Sequence, residues 1–146
     1  MYDCSGVVVD SKASVNTLDY SKLCLLQEGH CLRTQVQRIC DLTDQFTGTE
    51  VNFEFESGSM DSLIRITKVR NGMTILPYLA TIDAAEDIKN KLIEFNSPIP
   101  VRSVGLVTHT FFVKKKLLIE LKHIIQKAVS DHLPDNDTHY QILKPL

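Results

Sequence analysis

The stretch Gly29-His30-Cys31-Leu32-Arg33-Thr34-Gln35-Val36-Gln37-Arg38-Ile39-Cys40 decides how this chain is read. Leu32, Val36 and Ile39 fall at i, i+4 and i+7, with Arg33, Gln35, Gln37 and Arg38 between them. That spacing predicts an amphipathic helix over about residues 31–41. Cys31 and Cys40 stand nine residues apart. On a regular helix such an interval rises about 13–14 Å and turns about two and a half times, so the sulfurs point to nearly opposite faces. A disulfide needs Cα atoms within about 7 Å. The two cysteines can therefore pair only if the helix unwinds. A thiol pair whose oxidation is incompatible with its own local fold is a conformational switch.

Working outward, Lys22-Leu23-Cys24-Leu25-Leu26 is an apolar run that reads as a strand ending at the polar turn Gln27-Glu28-Gly29. Gly6-Val7-Val8-Val9 is a second such run, and Val51-Asn52-Phe53-Glu54-Phe55-Glu56 alternates at the period of a half-buried strand. Ser59 is placed to cap a helix from Met60 to Arg70, with Asp61 in its first turn and Gly72 expected to end it in a left-handed conformation. Met73-Thr74-Ile75-Leu76 reads as a strand stopped by Pro77, with a helical turn near Tyr78–Thr81. Strands are expected at Leu92-Ile93-Glu94-Phe95 and along Val101 to Val113. The final helix carries an apolar stripe of Leu117, Leu118, Leu121, Ile124, Ile125, Ala128 and Val129, and Asp131 to Leu146 reads as a frayed tail. Strands alternating with helices argue for an α/β layered fold.

A chain of 146 residues with 43% hydrophobic content suffices for one compact domain with room for an appendage. No run approaches the roughly 20 apolar residues of a membrane span. Neither a basic nor an apolar leader region opens the sequence, so a cytoplasmic, reducing setting is expected. There, cysteines are more often redox or metal residues than staples. The formal net charge of −2 provides no global attraction to polyanions.

The segment Gly29-His30-Cys31-Leu32-Arg33, with Cys40 following, resembles the regulatory domain of OxyR proteins, the peroxide sensors among the LysR-type transcriptional regulators. The likeness continues at Glu56-Ser57-Gly58-Ser59-Met60-Asp61-Ser62-Leu63, at Gly72-Met73-Thr74-Ile75-Leu76-Pro77 and at Val101-Arg102-Ser103-Val104-Gly105-Leu106-Val107, spanning about residues 17–130. The Gly-Met-Thr-Ile-Leu-Pro segment marks only the superfamily; the His-Cys and the interval to Cys40 are much more specific to the peroxide sensors.

That resemblance implies a periplasmic-binding-protein-like (type 2) α/β fold. Residues 1–102 would form the second lobe, with redox segment 29–41, and 103–146 the return strand, helix and tail of the first lobe. The helix-turn-helix domain through which the family contacts DNA is expected to be absent from this chain. It further implies a sensor rather than an enzyme. Hydrogen peroxide is the signal, Cys31 the peroxide-reactive thiol, Cys40 the resolving thiol, and a thiol reductant resets the pair.

Peroxide oxidation requires a thiolate, favoured by a helix start and nearby cations, which makes His30 and Arg33 supporting residues. By resemblance Arg102 lies near the sensing cysteine; as a bare sequence position it is a solvated charge at a strand edge. Met60, Leu63, Ile64 and Val69 are candidates for an oligomer interface that changes on oxidation, although apolar residues at helical spacing are more often core. Cys4 and Cys24 read as small apolar residues. His30, Cys31 and Cys40 lack the short Cys-x-x-Cys pairs of structural zinc sites, so no metal is expected, nor any other cofactor. Lys114-Lys115-Lys116 reads as a solvated helix end rather than a phosphate site. The competing reading is a LysR-type effector domain that binds a small-molecule inducer, with the cysteines incidental; a thiol peroxidase or disulfide oxidoreductase stands third. The stripe on the last helix must find cover, and self-association into a homo-oligomer is expected.

Overall fold

A computed structural model describes residues 1–6, 12–15, 18–41, 56–133 and 140–143. The expected strands at 6–9 and 51–56 lie outside these residues but for Gly6 and Glu56. In chain order the elements are β1 (Tyr2–Asp3), β2 (Lys12–Ala13), β3 (Leu25–Leu26), α1 (Cys31–Asp41), β4 (Glu56–Ser57), α2 (Met60–Val69), β5 (Met73–Thr74), α3 (Glu86–Lys89), β6 (Glu94–Phe95), β7 (Ile99–Arg102), α4 (Lys115–Ser130) and β8 (Tyr140–Leu143). Single 3-10 turns occupy Tyr20–Lys22 and Tyr78–Thr81.

The apolar run Leu23–Leu26 is the middle of the layer. β3 pairs in parallel with β4 on one side, and Leu23 bridges Met73 of β5 on the other. β5 is antiparallel to β1, Tyr2 of β1 bridges Leu92, and β6 is parallel to β2. Side chains along the run alternate between two cores. Leu23 and Leu25 pack with Val36 and Ile39 of α1 and with Met73, Ile75 and Phe95. Cys24 and Leu26 pack with Leu63 and Ile66 of α2. A helix therefore covers each face of this strand, which is why its sequence is continuously apolar rather than alternating. Leu32 packs against both clusters.

The α2 start follows its sequence. Ser59 is extended (φ −147°, ψ 159°) and its hydroxyl accepts the Ser62 amide at 3.2 Å. The end of α2 differs from expectation: Asn71, at φ 48°, takes the left-handed position, not Gly72. Glycine serves a different need there. A Cβ on Gly72 would lie 2.8 Å from the Lys22 carbonyl oxygen and 3.1 Å from Cys24 Sγ, so its missing side chain lets the Leu23–Leu26 run close against β5. The closure is sealed by the Cys24 amide on the Met73 carbonyl at 2.8 Å and the Thr74 hydroxyl on the Cys24 carbonyl at 2.9 Å.

Two further expectations are corrected. The strand expected from Val101 to Val113 is only β7, ending at Arg102; residues 103–113 are irregular and largely exposed. β-branched residues favour strands only where an edge and a buried face receive them, and neither meets this segment. Conversely, the expected frayed tail contains β8, parallel to β7 from Ile99↔Tyr140 to Arg102↔Leu143. α4 forms where its periodicity placed it, and none of its residues is buried.

The contact at Gly72 yields a direct expectation. Gly72→Ala should lower stability to urea by about 1–3 kcal/mol, since backbone must shift to admit the methyl group. An unchanged unfolding midpoint would contradict the close-approach account.

Candidate functional site

The polar turn after β3 delivers the chain into α1. Gly29 adopts φ 90°, the His30 amide donates to the Gln27 carbonyl at 3.4 Å, and the Arg33 amide donates to the His30 carbonyl at 3.0 Å. Cys31 is thereby the first residue of α1, a free thiol exposed to solvent. Its sulfur sits where unpaired amides and the helix dipole present partial positive charge. Cys40 lies on the same unbroken helix, one residue before its end; its side chain is outside the described set.

Arg102 reaches this thiol from the far end of the sequence. β7 pairs with β8, and β8 borders α1, so the last residue of β7 arrives beside the helix start. The Arg102 guanidinium Nη1 lies 4.0 Å from Cys31 Sγ and donates to Gln35 Oε1 at 3.4 Å. Gln35 stands four residues after Cys31, on the same side of the helix, and tethers the arginine there. Sequence reasoning passed over Gln35, although its i+4 spacing from Cys31 was available.

The other expected supports divide. Arg33 Nη1 donates to the Leu26 carbonyl at 2.9 Å, fastening α1 to β3. The His30 contribution visible here is its backbone, within the turn. Of the interface candidates, Leu63 is 1% exposed and belongs to the core, Met60 and Ile64 are half-buried, and Val69 is 80% exposed. Of these four candidates, the accessible surface is thus Val69 with parts of Met60 and Ile64.

Cys24 is buried between Leu23 and β3, as its apolar context predicted, and burial pushes its thiol pKa up. Cys4 is half-buried, with Lys91 Nζ 3.6 Å from its Sγ, a pairing across 87 residues that no local pattern announces. Among the described residues, no group of three or more His, Cys, Asp or Glu side chains is placed to hold a metal ion. Nor is any described helix long and apolar enough to cross a membrane.

Fold and site together define an α/β domain, helices on both faces of its strands, with an accessible thiol at the head of one helix. The particular proteins it resembles are OxyR regulators. The chain is 32% identical over 99 residues to the hydrogen peroxide-inducible genes activator of Haemophilus influenzae, covering 67% of this chain and 31% of that protein. It is 30% identical over 86 residues to the DNA-binding transcriptional dual regulator OxyR of Escherichia coli K12, covering 59% of this chain and 27% of that protein. In fold it matches a crystal structure of an OxyR mutant from Porphyromonas gingivalis, with TM-score 0.78 and 24% identity over 97% of this chain and 64% of that one. No protein-family model matches. The chain is OxyR-like in sequence and in fold, and spans under a third of the length of these curated relatives.

The thiols should separate by reactivity. Alkylation of the folded chain should label Cys31 fastest and Cys24 slowest, because burial both shields Cys24 and leaves it less thiolate at neutral pH. Arg102→Gln should slow labelling of Cys31 by about two- to fivefold, the size of an exposed charge contact, and leave Cys24 unmoved. Preferential labelling of Cys24 in the folded state would refute this ordering.

Proposed function

We propose that this chain is the redox-sensing part of a hydrogen-peroxide-responsive, LysR-type transcriptional regulator. The observation that carries the reading is Cys31: exposed, first on its helix, 4.0 Å from an arginine tethered by Gln35, with a second cysteine on the same helix.

In the first step the Cys31 thiolate attacks one peroxide oxygen. An S–O bond forms, the O–O bond breaks, and the departing hydroxide takes a proton to leave as water. The product is a sulfenic acid. Cys40, as thiolate, then attacks that sulfur; an S–S bond replaces the S–O bond, and the released hydroxide is protonated to a second water. Two thiols have supplied the two electrons that reduce the peroxide, and a dithiol reductant returns them.

The second step opposes the fold. Nine helical residues span about 13–14 Å, twice the reach of a disulfide, so α1 must unwind. Unwinding withdraws Val36 and Ile39 from the core, at about 1.5–3 kcal/mol for each side chain exposed. That cost makes the disulfide easier to reduce, by about 30 mV for each 1.4 kcal/mol, which suits a sensor that resets. The rearranged α1 changes the surface that an oligomer of the regulator reads, including Val69, Met60 and Ile64 of α2.

We assign residues 1–102 to the second lobe of the two-lobed regulatory domain and 103–146 to the chain's return into the first. The uncovered α4 and the irregular 103–113 segment support this division, with β8 coming back to β7. DNA would be read by a helix-turn-helix domain elsewhere in the regulator. The competing inducer-binding reading gains nothing from the gap lined by Leu32, Val36 and Leu63, which is too tight to hold even a water molecule.

Two substitutions test the roles. After a limiting peroxide pulse, Cys31→Ser should show no Cys40 oxidation by mass spectrometry. Cys40→Ser should accumulate Cys31 sulfenic acid or its over-oxidised products in place of a ring. Identical trapped products from both variants would refute the assignment of attacking and resolving thiols.

A further inference from the structure

Cys4 occupies a setting that the Cys31 chemistry does not use. Its amide donates to the Gly72 carbonyl at 2.8 Å, continuing the β1–β5 ladder by one residue. Side chains alternate along a strand, and paired residues of a ladder share a face. Met1 and Met73 belong to the core under α1, so Tyr2 and Cys4 point to the other face, where Cys24 and α2 lie.

Two groups converge on the Cys4 sulfur. Tyr2 bridges Leu92 and the Asp3 amide donates to the Lys91 carbonyl at 3.0 Å, which brings Lys91 Nζ to 3.6 Å from Sγ. The second is the Tyr2 hydroxyl. Tyr2 is 0% exposed, and its hydroxyl is buried without a hydrogen-bond partner. Burial pushes the phenol pKa up, and so does the Cys4 thiol beside it. Buried hydroxyls are nearly always satisfied, and a thiol sulfur is only a weak acceptor. An oxygen carried on that sulfur would give the hydroxyl the acceptor it lacks.

We propose that Cys4 is a second peroxide-oxidisable thiol, held as a sulfenic acid whose oxygen accepts from the Tyr2 hydroxyl and the Lys91 ammonium. The ammonium favours the thiolate. That thiolate attacks one oxygen of hydrogen peroxide: an S–O bond forms, the O–O bond breaks, and the departing hydroxide takes a proton to leave as water. The sulfur gives up the two electrons that the peroxide gains. No ring closes afterwards. The Cys24 amide is bonded to the Met73 carbonyl, so Cys24 lies two strand spacings from Cys4. That separation is about 9.5 Å, beyond the roughly 7 Å reach of a disulfide. Burial also leaves Cys24 little thiolate with which to attack. Unlike ring closure on α1, oxidation of Cys4 requires no helix or strand to open. Cys4 is half-buried where Cys31 is exposed, so the mark is set by a higher dose of peroxide.

Dimedone trapping on the full chain under excess peroxide, with peptide mass spectrometry, tests this. The Cys4 peptide should carry the dimedone adduct of a sulfenic acid. Lys91→Met should slow its formation about two- to fivefold, and Lys91→Arg should keep most of the rate. Tyr2→Phe should not lower the urea midpoint, since the hydroxyl makes no bond in the reduced fold. It should shorten the lifetime of the Cys4 sulfenic acid about fivefold, read by delaying the dimedone. An unlabelled Cys4, or Cys4 recovered in a disulfide with Cys24, would overturn the proposal. So would an unchanged rate in Lys91→Met or an unchanged lifetime in Tyr2→Phe. The Cys4 and Cys31 peptides are read separately, so failure at one thiol leaves the result at the other intact.

Discussion

Val36 and Ile39 of α1, buried against Leu23 and Leu25, hold the helix that keeps Cys31 and Cys40 apart. In the proposed account, the switch depends on that packing. While it persists, Cys31 stays at the helix start, nine residues before Cys40 on the same helix. If the cysteines join, it must yield. The energy at stake is modest, about 1.5–3 kcal/mol for each large side chain withdrawn. Oxidative ring closure can oppose a cost of that size, and a reductant can recover it.

The consequences of unwinding are set by what α1 touches. Leu32 packs against both core clusters, one belonging to α1 and the other to α2. Arg33 fastens the helix to the Leu26 carbonyl at 2.9 Å, at the end of the strand that both helices cover. At the helix start, Arg102 and Gln35 tie α1 to β7, and β8, paired to β7, borders the helix. In the proposed account, a change confined to residues 31–41 is thus felt at the surface of α2 and at the β7–β8 ribbon, without long-range strain through the layer.

Much of this was legible in the sequence because helices announce themselves by period. The 3.6-residue spacing located α1, α2 and α4, and Ser59 capped α2 as its residue type predicted. The Leu23–Leu26 run was readable as a buried strand because a helix on each face demands apolar residues at every position. What escaped was long-range. β8 carries only the short signal Tyr140-Gln141-Ile142-Leu143, which becomes a strand in a polar, proline-containing tail because β7 offers an edge. The β-branched residues of 103–113 gave the opposite error, a propensity with no edge to satisfy. Gly72 was recognised as special for a conformation that Asn71 adopts; the need it meets is the approach of another segment, invisible locally. At the site, Cys31 and its helix were readable, and the resemblance pointed to Arg102. Its tether on Gln35, and the bond from Arg33 to the Leu26 carbonyl, required the packed structure. The role of Cys40 rests on sequence and on its place in α1.

The central claim, that joining Cys31 to Cys40 costs the helix between them, is tested most directly by hydrogen exchange. Peptides covering residues 31–41 would be followed before and after stoichiometric peroxide, with the disulfide verified by mass. The account predicts that the oxidised chain loses amide protection across α1, that the strands around Leu23–Leu26 keep theirs, and that a dithiol restores the original pattern. A verified Cys31–Cys40 disulfide with α1 still fully protected would contradict it.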